Sequence, residues 1–541
     1  MIRIHEIKLI AGESTAKLPG KVERRLGLPK GSIYGVRIVK ESLDAREKPD
    51  IYRVFSLDIE SDLPDHTLLL AAENHKMKAG EAKEQAYARP EMTRIPKERP
   101  VVVGFGPCGI FAALTLAEYG LKPLIIERGA QMDERIEAVE TFWNGGPLEP
   151  DANVQFGEGG AGTFSDGKLT TGTKDPAQRL VLEAFVDAGA SPAILYRQKP
   201  HIGTDVIRRA VVSLREKLIG MGASFRFKTV MTSVDIENGC VKGITVRSGE
   251  DEEYIKTDTV ILGLGHSSRD SFSMLYEKGL MMEQKQFSMG VRIEHPQDMI
   301  DMSQLGTLSS EIGVGPADYK LAVRTKDGRG VYTFCMCPGG YVVASASGEG
   351  QVVTNGMSES LRDGKNANSA LLVDVLTSDF GADDPLAGVR FQEKYEHLAY
   401  LAGGSCYKAP AQKVGDFMKT GRSDGKNAET CHPEPTYRPG VTWTELDQCL
   451  PDFVASSIRE ALPMLDRRLS GFAAPGAVMT AIESRSSSPV RTRRGADGRA
   501  LLADGTPVTG LYPAGEGAGY AGGIMSSAVD GIHAAEKALT L

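Results

Sequence analysis

"VVVGFGPCGIFAALTLAEYGLKPLIIERG", residues Val101–Gly129, contains the spacing Gly104-x-Gly106-x-x-Gly109. The same spacing recurs at Gly157, Gly159 and Gly162 and again at Gly517, Gly519 and Gly522, so the glycines alone decide nothing. Context decides. A dinucleotide site needs a strand before the glycines, a helix after them and an acid at the end of the next strand. Val101–Val103 supply a β-branched strand. Gly109, Ala112, Ala113, Leu116 and Ala117 then recur at helical spacing and are small enough for close packing on a sheet. Gly120 is a helix stop. "KPLIIE" is the second strand, and its Glu127 follows Gly109 by 18 residues, close to the usual interval of about 20. Gly104 permits the tight turn, Gly106 lets backbone approach a pyrophosphate, and Gly109 permits helix–strand contact. Pro107 and Cys108 open the helix whose N-terminus faces the phosphates. Glu127, followed by Arg128, accepts ribose hydroxyls and repels a 2′-phosphate, which favours FAD or NAD over NADP.

The other two matches fail the same test. "TFSDGKLTTGTKDP" follows the second and reads as loop or strand. The third has a strand, "GLYPAG", and a helix, but Leu541 leaves no room for a second strand and its acid. One dinucleotide unit is therefore expected, with none for a nicotinamide.

The third segment, "YPAGEGAGYAGGIMSSAVDGIHAAEKALTL", resembles the C-terminal flavin motif of the glutathione-reductase-like FAD superfamily. The resemblance puts Gly515 and Glu516 where a glycine and an acid bind the ribitol of FAD; the usual acid is Asp. The helix starting near Gly523 and Ile524 would place its positive end against the negative charge of a reduced flavin. "GEGGAGTFSDGKL" at 157–169, "GHSSRD" at 265–270, "MCPGG" at 336–340 and "GEGAGYAGGIMSSA" at 515–528 are together similar to a bacterial family of uncharacterised FAD-dependent dehydrogenases. That likeness implies FAD, with Gly159, Gly160, Gly162 and Thr163 approaching it, and leaves the substrate open. "TDTVILGLGHSS" resembles a strand ending at the cofactor, with Gly263-Leu264-Gly265 in place of the usual Ala-Thr-Gly.

Composition sets the bounds. With 541 residues, 41% hydrophobic and 25% charged, the chain is an ordinary globular protein of several domains. A net charge of −8 disfavours nucleic acid or an anionic membrane surface. The 61 glycines imply many tight turns or close backbone approaches. Seven cysteines, loosely spaced, make a disulfide framework a poor reading. "MIRIHEIKLIAGES" is not a signal peptide, no apolar run reaches membrane length, and a cytoplasmic location is expected.

The expected architecture is α/β. A small N-terminal α+β domain in ferredoxin-like order occupies residues 1–95. The Rossmann-like FAD-binding domain occupies 96–280 and 476–541, with a mixed α+β substrate or cap domain inserted at 281–475. Asn238-Gly239 marks a hairpin.

Candidate chemical groups come with plainer readings beside them. Lys168 could sit near flavin N5 or simply pair with Asp166. His266 could donate a proton or be a hydrogen-bonded structural histidine. Arg485 suits a carboxylate or phosphate on the substrate, whereas Arg493 and Arg494 read as a solvated turn. Cys108 reads as packing. Cys335 and Cys337 lie on one face of a strand, where a bridge is strained, so a redox role is the lesser reading. No cluster has metal-ligand spacing. The function expected is an FAD-dependent oxidoreductase passing a hydride or electron pair through flavin N5 to or from a small molecule, with NAD(P)H as a transient donor. A flavin-dependent hydroxylase, or a non-redox flavoprotein with a partner-binding N-terminal domain, are the alternatives. Substrate, acceptor and oligomeric state are not legible in the sequence.

Overall fold

The computed structural model describes residues 1–83, 86–418 and 432–540. Cys431 lies outside the described residues. The chain is a mixed α/β protein built around a parallel sheet.

The N-terminal unit runs strand, helix, strand, strand, helix, strand: Ile2–Ile10, Leu18–Leu26, Ile33–Glu47, Asp50–Ser61, Asp65–Asn74 and Ala79–Glu81. In its antiparallel sheet the third strand lies between the second and first, and the fourth flanks the first. This is the β-α-β-β-α-β succession of a split βαβ fold. Its core is Ile4, Leu9, Leu18, Val22, Phe55 and Leu57, all fully buried. Gly27 ends the first helix in the left-handed region, at φ 65°. Strand Ile33–Glu47 ties this unit to the next: Glu41 and Tyr196 share a backbone hydrogen bond of 2.9 Å.

The parallel sheet has five strands. Val101–Val103 is central, Leu124–Ile126 and Ser224–Arg226 lie on one side, and Val260–Leu262 and Leu511–Pro513 on the other. The helix Pro107–Glu118 follows the central strand. It is apolar on every side because it is covered on every side, by the sheet and by the helix Ile524–Thr540. Glycine makes that second contact possible: a Cβ at Gly531 would lie 2.1 Å from the Cys108 carbonyl oxygen. Strands Val230–Glu237 and Cys240–Ser248 form the hairpin expected at Asn238-Gly239, both turn residues having positive φ, 50° and 69°.

The second large layer is a seven-stranded sheet. Its order is Ala322–Arg324, Gly330–Cys337, Asn366–Val375, Phe287–Pro296, Val478–Glu483, Ala409–Lys413 and Val441–Trp443. Strand Val478–Glu483 thus lies beyond the boundary expected at 476 yet belongs to this sheet. It is buried throughout and pairs with Phe287–Pro296, which gives it a partner the parallel sheet does not offer. The chain leaves the layer only after it, near Arg485. Among the described residues no helix is long and apolar enough to cross a membrane.

Candidate flavin site

A cavity of about 560 Å³ lies between the parallel sheet's C-terminal edge and the seven-stranded sheet. That edge is where the strand-to-loop turns of an open α/β sheet leave a crevice. Gly104, Gly106, Pro107, Cys108, Glu127 and Arg128 border it from the fingerprint, and Gly160 and Gly162 from the glycine loop. Gly265 and His266 follow the strand Val260–Leu262, and Glu516, Gly523 and Ile524 come from the C-terminal segment. Lys168 and Arg485 also border it.

Four expected contacts sit behind the wall. Gly109 faces the strand, where a Cβ would lie 1.8 Å from the Gly104 carbonyl oxygen. Gly159 turns inward against Thr163 and Val211. Thr163 is buried and accepts from Arg135 at 2.6 Å. Gly515 packs on Cys108, and its N–H donates to Asp530 at 2.7 Å.

Glu127 is buried, and its carboxylate gathers three backbone N–H groups. They belong to Phe105 at 2.8 Å, Gly129 at 2.9 Å and Gly157 at 3.0 Å. One acid therefore fixes the fingerprint turn, its own strand end and the glycine loop relative to one another. Arg128 lies over the Phe156 ring, 4.5 Å from its centroid, and is paired with Asp270 at 2.9 Å. The loop is held from beneath by Arg135, which is fully buried and donates to the carbonyls of Asn153, Val154 and Glu158 at 2.9, 3.0 and 2.6 Å. No motif announced Arg135; the available signal was one arginine within an amphipathic helix, Met132–Trp143.

The fit to a flavin dinucleotide can be tested on this geometry. The helix Pro107–Glu118 has Gly106 at its N-cap and no side chain capping its free N–H groups. Gly106 and Gly160 lie against each other in the cavity wall, where a Cβ on Gly160 would lie 2.9 Å from the Gly106 Cα. Backbone N–H groups and bare glycine surface suit a pyrophosphate. The lining includes Thr229–Met231 and Glu127 from the parallel-sheet side together with Glu516 and Cys335. The residues present fit such a cofactor.

The candidate chemical groups are less free than their sequence positions imply. Lys168 Nζ pairs with Asp166 at 3.3 Å and donates to the Met336 carbonyl oxygen. Asp166 also takes Arg362 at 2.5 Å and the Ser358 hydroxyl. Burial pulls the His266 imidazole down to about 3, with the Arg485 and Arg269 charges acting the same way, so the ring is neutral at physiological pH. Its Nδ1 lies 2.8 Å from the Ser267 hydroxyl. Arg485 is buried against Glu396 at 2.9 Å, and Arg269 takes the same carboxylate at 2.8 Å. Arg493 pairs with Glu283 at 3.3 Å, and Arg494 with Asp530 at 2.7 Å.

Glu516 has the opposite problem. Burial pushes its carboxyl up to about 7, only partly offset by Lys285 and the Gly523 backbone. A carboxyl whose folded pKa exceeds its unfolded value favours folding at low pH and loses that contribution as pH rises through the folded value. Glu516→Gln is therefore expected to stabilise the flavin-free chain well above pH 7 by about 3 kcal/mol, since the carboxyl is raised by between two and three pK units and each is worth about 1.4 kcal/mol, and to make little difference at about pH 4, below the unfolded value. Urea denaturation of both chains at the two pH values checks this.

A second cavity, of about 500 Å³, is lined by Trp143, Arg208, Tyr341 and Arg438 among others and touches neither the fingerprint nor Glu516.

Fold and site together define a mixed α/β protein whose glycine-lined crevice faces an inserted β layer. Residues 286–486 match the family described as FAD-dependent protein, C-terminal domain-like, and residues 1–60 match a domain of unknown function. A protein of Clostridium beijerinckii, described as uncharacterized, is 44% identical over 536 residues, covering 99% of this chain and 98% of that one. The chain belongs to the family of that protein. Among solved structures, a 3-ketosteroid-delta4-(5alpha)-dehydrogenase from Rhodococcus jostii RHA1 is similar at TM-score 0.35 and 13% identity, over 83% of this chain and 99% of that one. A geranylgeranyl bacteriochlorophyll reductase-like protein from Thermoplasma acidophilum is similar at 0.35 and 13%, over 81% and 78%. Likenesses of that extent carry no argument about activity.

Proposed function

We propose that this protein is an FAD-dependent oxidoreductase acting on a small molecule. The observation that supports the reading most is the continuity of one cavity. It joins the uncapped fingerprint helix and Glu127 to the glycine loop and then to the face of the inserted sheet. In this reading Gly106, Pro107 and Gly160 hold the pyrophosphate, and Glu127 the ribose. Glu516 meets the ribitol, and the N-terminus of Ile524–Thr540 lies at the far end. A bound flavin supplies two-electron chemistry at its ring. The chain supplies position and charge. Lys168 keeps a fixed cation at the cavity wall, steadied by Asp166. His266, being neutral, accepts or donates one hydrogen bond rather than carrying a charge. Arg485 holds the wall through Glu396 and Ser267, the latter at 3.1 Å, and is a positioning residue. The inserted sheet closes the cavity from the side opposite the fingerprint, so a substrate meets the flavin between the two layers. NAD(P)H would reach the same face transiently as donor.

An absorbance spectrum of the purified protein, followed by anaerobic addition of NADH and then NADPH, tests the proposal. Flavin bands that bleach within seconds are expected. Chromatography of the heat-released cofactor should return FAD rather than FMN. A protein with no flavin bands even after FAD is added overturns the reading, and a flavin that neither nucleotide reduces overturns the assigned donor.

A further inference from the structure

We propose that Cys335 and Cys337 are a redox-active thiol pair opening onto the flavin cavity and cycling between dithiol and an intramolecular disulfide. The thiol pair stands on its own geometry; its electron partner rests on the flavin reading above.

The strand that carries them is not regular. Phe334 pairs with Ala370 and Cys337 with Asn368, so three steps on one strand face two on the other. That is a β-bulge, and bulges re-aim side chains beside functional sites. Cys335 sits in it with φ 44°, a left-handed conformation rare for a residue with a side chain. In a flat strand the two thiols would stand side by side at the full two-residue spacing. Here the Cys337 thiol turns back along the chain and donates to the Cys335 carbonyl oxygen at 3.3 Å.

Two cations pin the bulge. Arg292 donates to the Cys335 carbonyl at 2.9 Å, and Lys168 donates to the Met336 carbonyl. Neither is loose: Arg292 is fully buried on Glu483 at 2.5 Å, and Lys168 is held by Asp166. The two sulfurs are also unequal. Cys335 borders the cavity, whereas Cys337 is fully buried behind it. The neighbouring Cys337 side chain, together with the Lys168 and Arg292 charges, holds the Cys335 thiol well below its usual range against the effect of burial, and Cys337 is correspondingly raised. The thiolate is the reactive form of cysteine. The other buried thiols behave differently. Cys108 and Cys449 are raised, chiefly by burial, with Asp530 beside the first and Asp447 beside the second adding to it; Arg494 opposes the rise at Cys108 without reversing it, and Cys449 reaches about 12.

The chemistry balances. The Cys335 thiolate and the Cys337 thiol form one S–S bond while the Cys337 S–H bond breaks. The proton and the electron pair pass to oxidised flavin, which is thereby reduced; the reverse direction reopens the bridge.

The experiment uses the full-length protein. After treatment with diamide and alkylation by iodoacetamide, the peptide bearing both cysteines is expected to be two hydrogens lighter and free of alkyl groups. Reduction with dithiothreitol should restore two alkylations. Anaerobic dithionite titration of the diamide-treated, FAD-loaded protein should consume one electron pair beyond the flavin's own, since the disulfide is a two-electron couple. Cys335→Ser and Cys337→Ala should each lose that extra pair while keeping the flavin spectrum. A peptide that takes two alkyl groups after diamide overturns the thiol pair, and needs no variant to fold. A bridge that forms in a chain retaining no flavin keeps the pair and removes its electron partner. A bridge with no extra electron uptake in FAD-loaded protein overturns the exchange with flavin alone.

Discussion

A Gly109→Val chain is expected to unfold more easily than wild type by about 3 kcal/mol or more, at the upper end of overpacking effects, and to be purified without flavin. The contact is between backbones. A Cβ at 109 would lie 1.8 Å from the Gly104 carbonyl oxygen and 3.4 Å from a Val102 methyl. Neither neighbour can retreat. Gly104 already has φ 94°, and a Cβ there would lie 2.3 Å from the Gly263 carbonyl oxygen. The helix cannot lift away either, because its far side rests on Gly531. Strand Val260–Leu262, strand Val101–Val103, helix Pro107–Glu118 and helix Ile524–Thr540 are thus stacked through glycine contacts, and one added side chain wedges the stack. Gly120→Ala makes the control. Gly120 also has positive φ, 83°, but open space around it, so it should lose only the backbone strain of about 1–2 kcal/mol. Urea denaturation and the flavin spectrum of both variants check this. A loss at Gly109→Val no larger than that at Gly120→Ala would overturn the close-packing account.

The second large effect is expected at Glu396. Glu396→Ala should destabilise the chain by about 3–5 kcal/mol, the cost of leaving buried charge without its partner. The carboxylate is fully buried and takes two guanidiniums, Arg269 and Arg485, with the Ser484 hydroxyl at 2.6 Å. The four residues come from three places: Arg269 from the start of helix Arg269–Glu277, Ser484 and Arg485 from the turn after strand Val478–Glu483, and Glu396 from helix Ala387–Ala402. Removing the acid strands two positive charges and loosens the wall beside His266. Burial works to raise the Glu396 carboxyl, but the Arg269 and Arg485 charges overrule it and hold it far below the usual carboxylate range. Its contribution is therefore complete above the unfolded value of about 4.3 and fades as pH falls below it. The gap between wild type and Glu396→Gln should be wide at pH 7 and narrower at pH 4. A gap that stays constant with pH would show that the loss is one of packing rather than of charge.

What the sequence determined by itself is what the chain makes locally. The strand, turn, helix, strand and acid of Val101–Gly129 lie within one continuous βαβ segment, so spacing and residue type were enough to place Glu127 at a strand end and Gly109 against Gly104. The hairpin at Asn238-Gly239 and the first strand, helix, strand and strand of the N-terminal unit were legible for the same reason, each depending on turn chemistry or periodicity over a few residues; the helix Asp65–Asn74 and the strand Ala79–Glu81 were not. Tertiary structure decided the rest. Arg135 clamps a loop about twenty residues on, and nothing in its helix marks it for that task. Arg269, Glu396 and Arg485 meet across gaps of 127 and 89 residues. Strand Val478–Glu483 looked like part of the returning chain, yet its cross-strand partner placed it in the inserted sheet. Cys335 and Cys337 show the limit most clearly. Their spacing in a regular strand argued for strain, and only the pairing with Asn366–Val375 introduces the bulge in which the Cys337 thiol folds back onto the Cys335 carbonyl. Lys168 reaches that bulge from 168 residues away. Local sequence carries propensity and spacing; the charge a side chain meets is set by whichever distant segment folds against it.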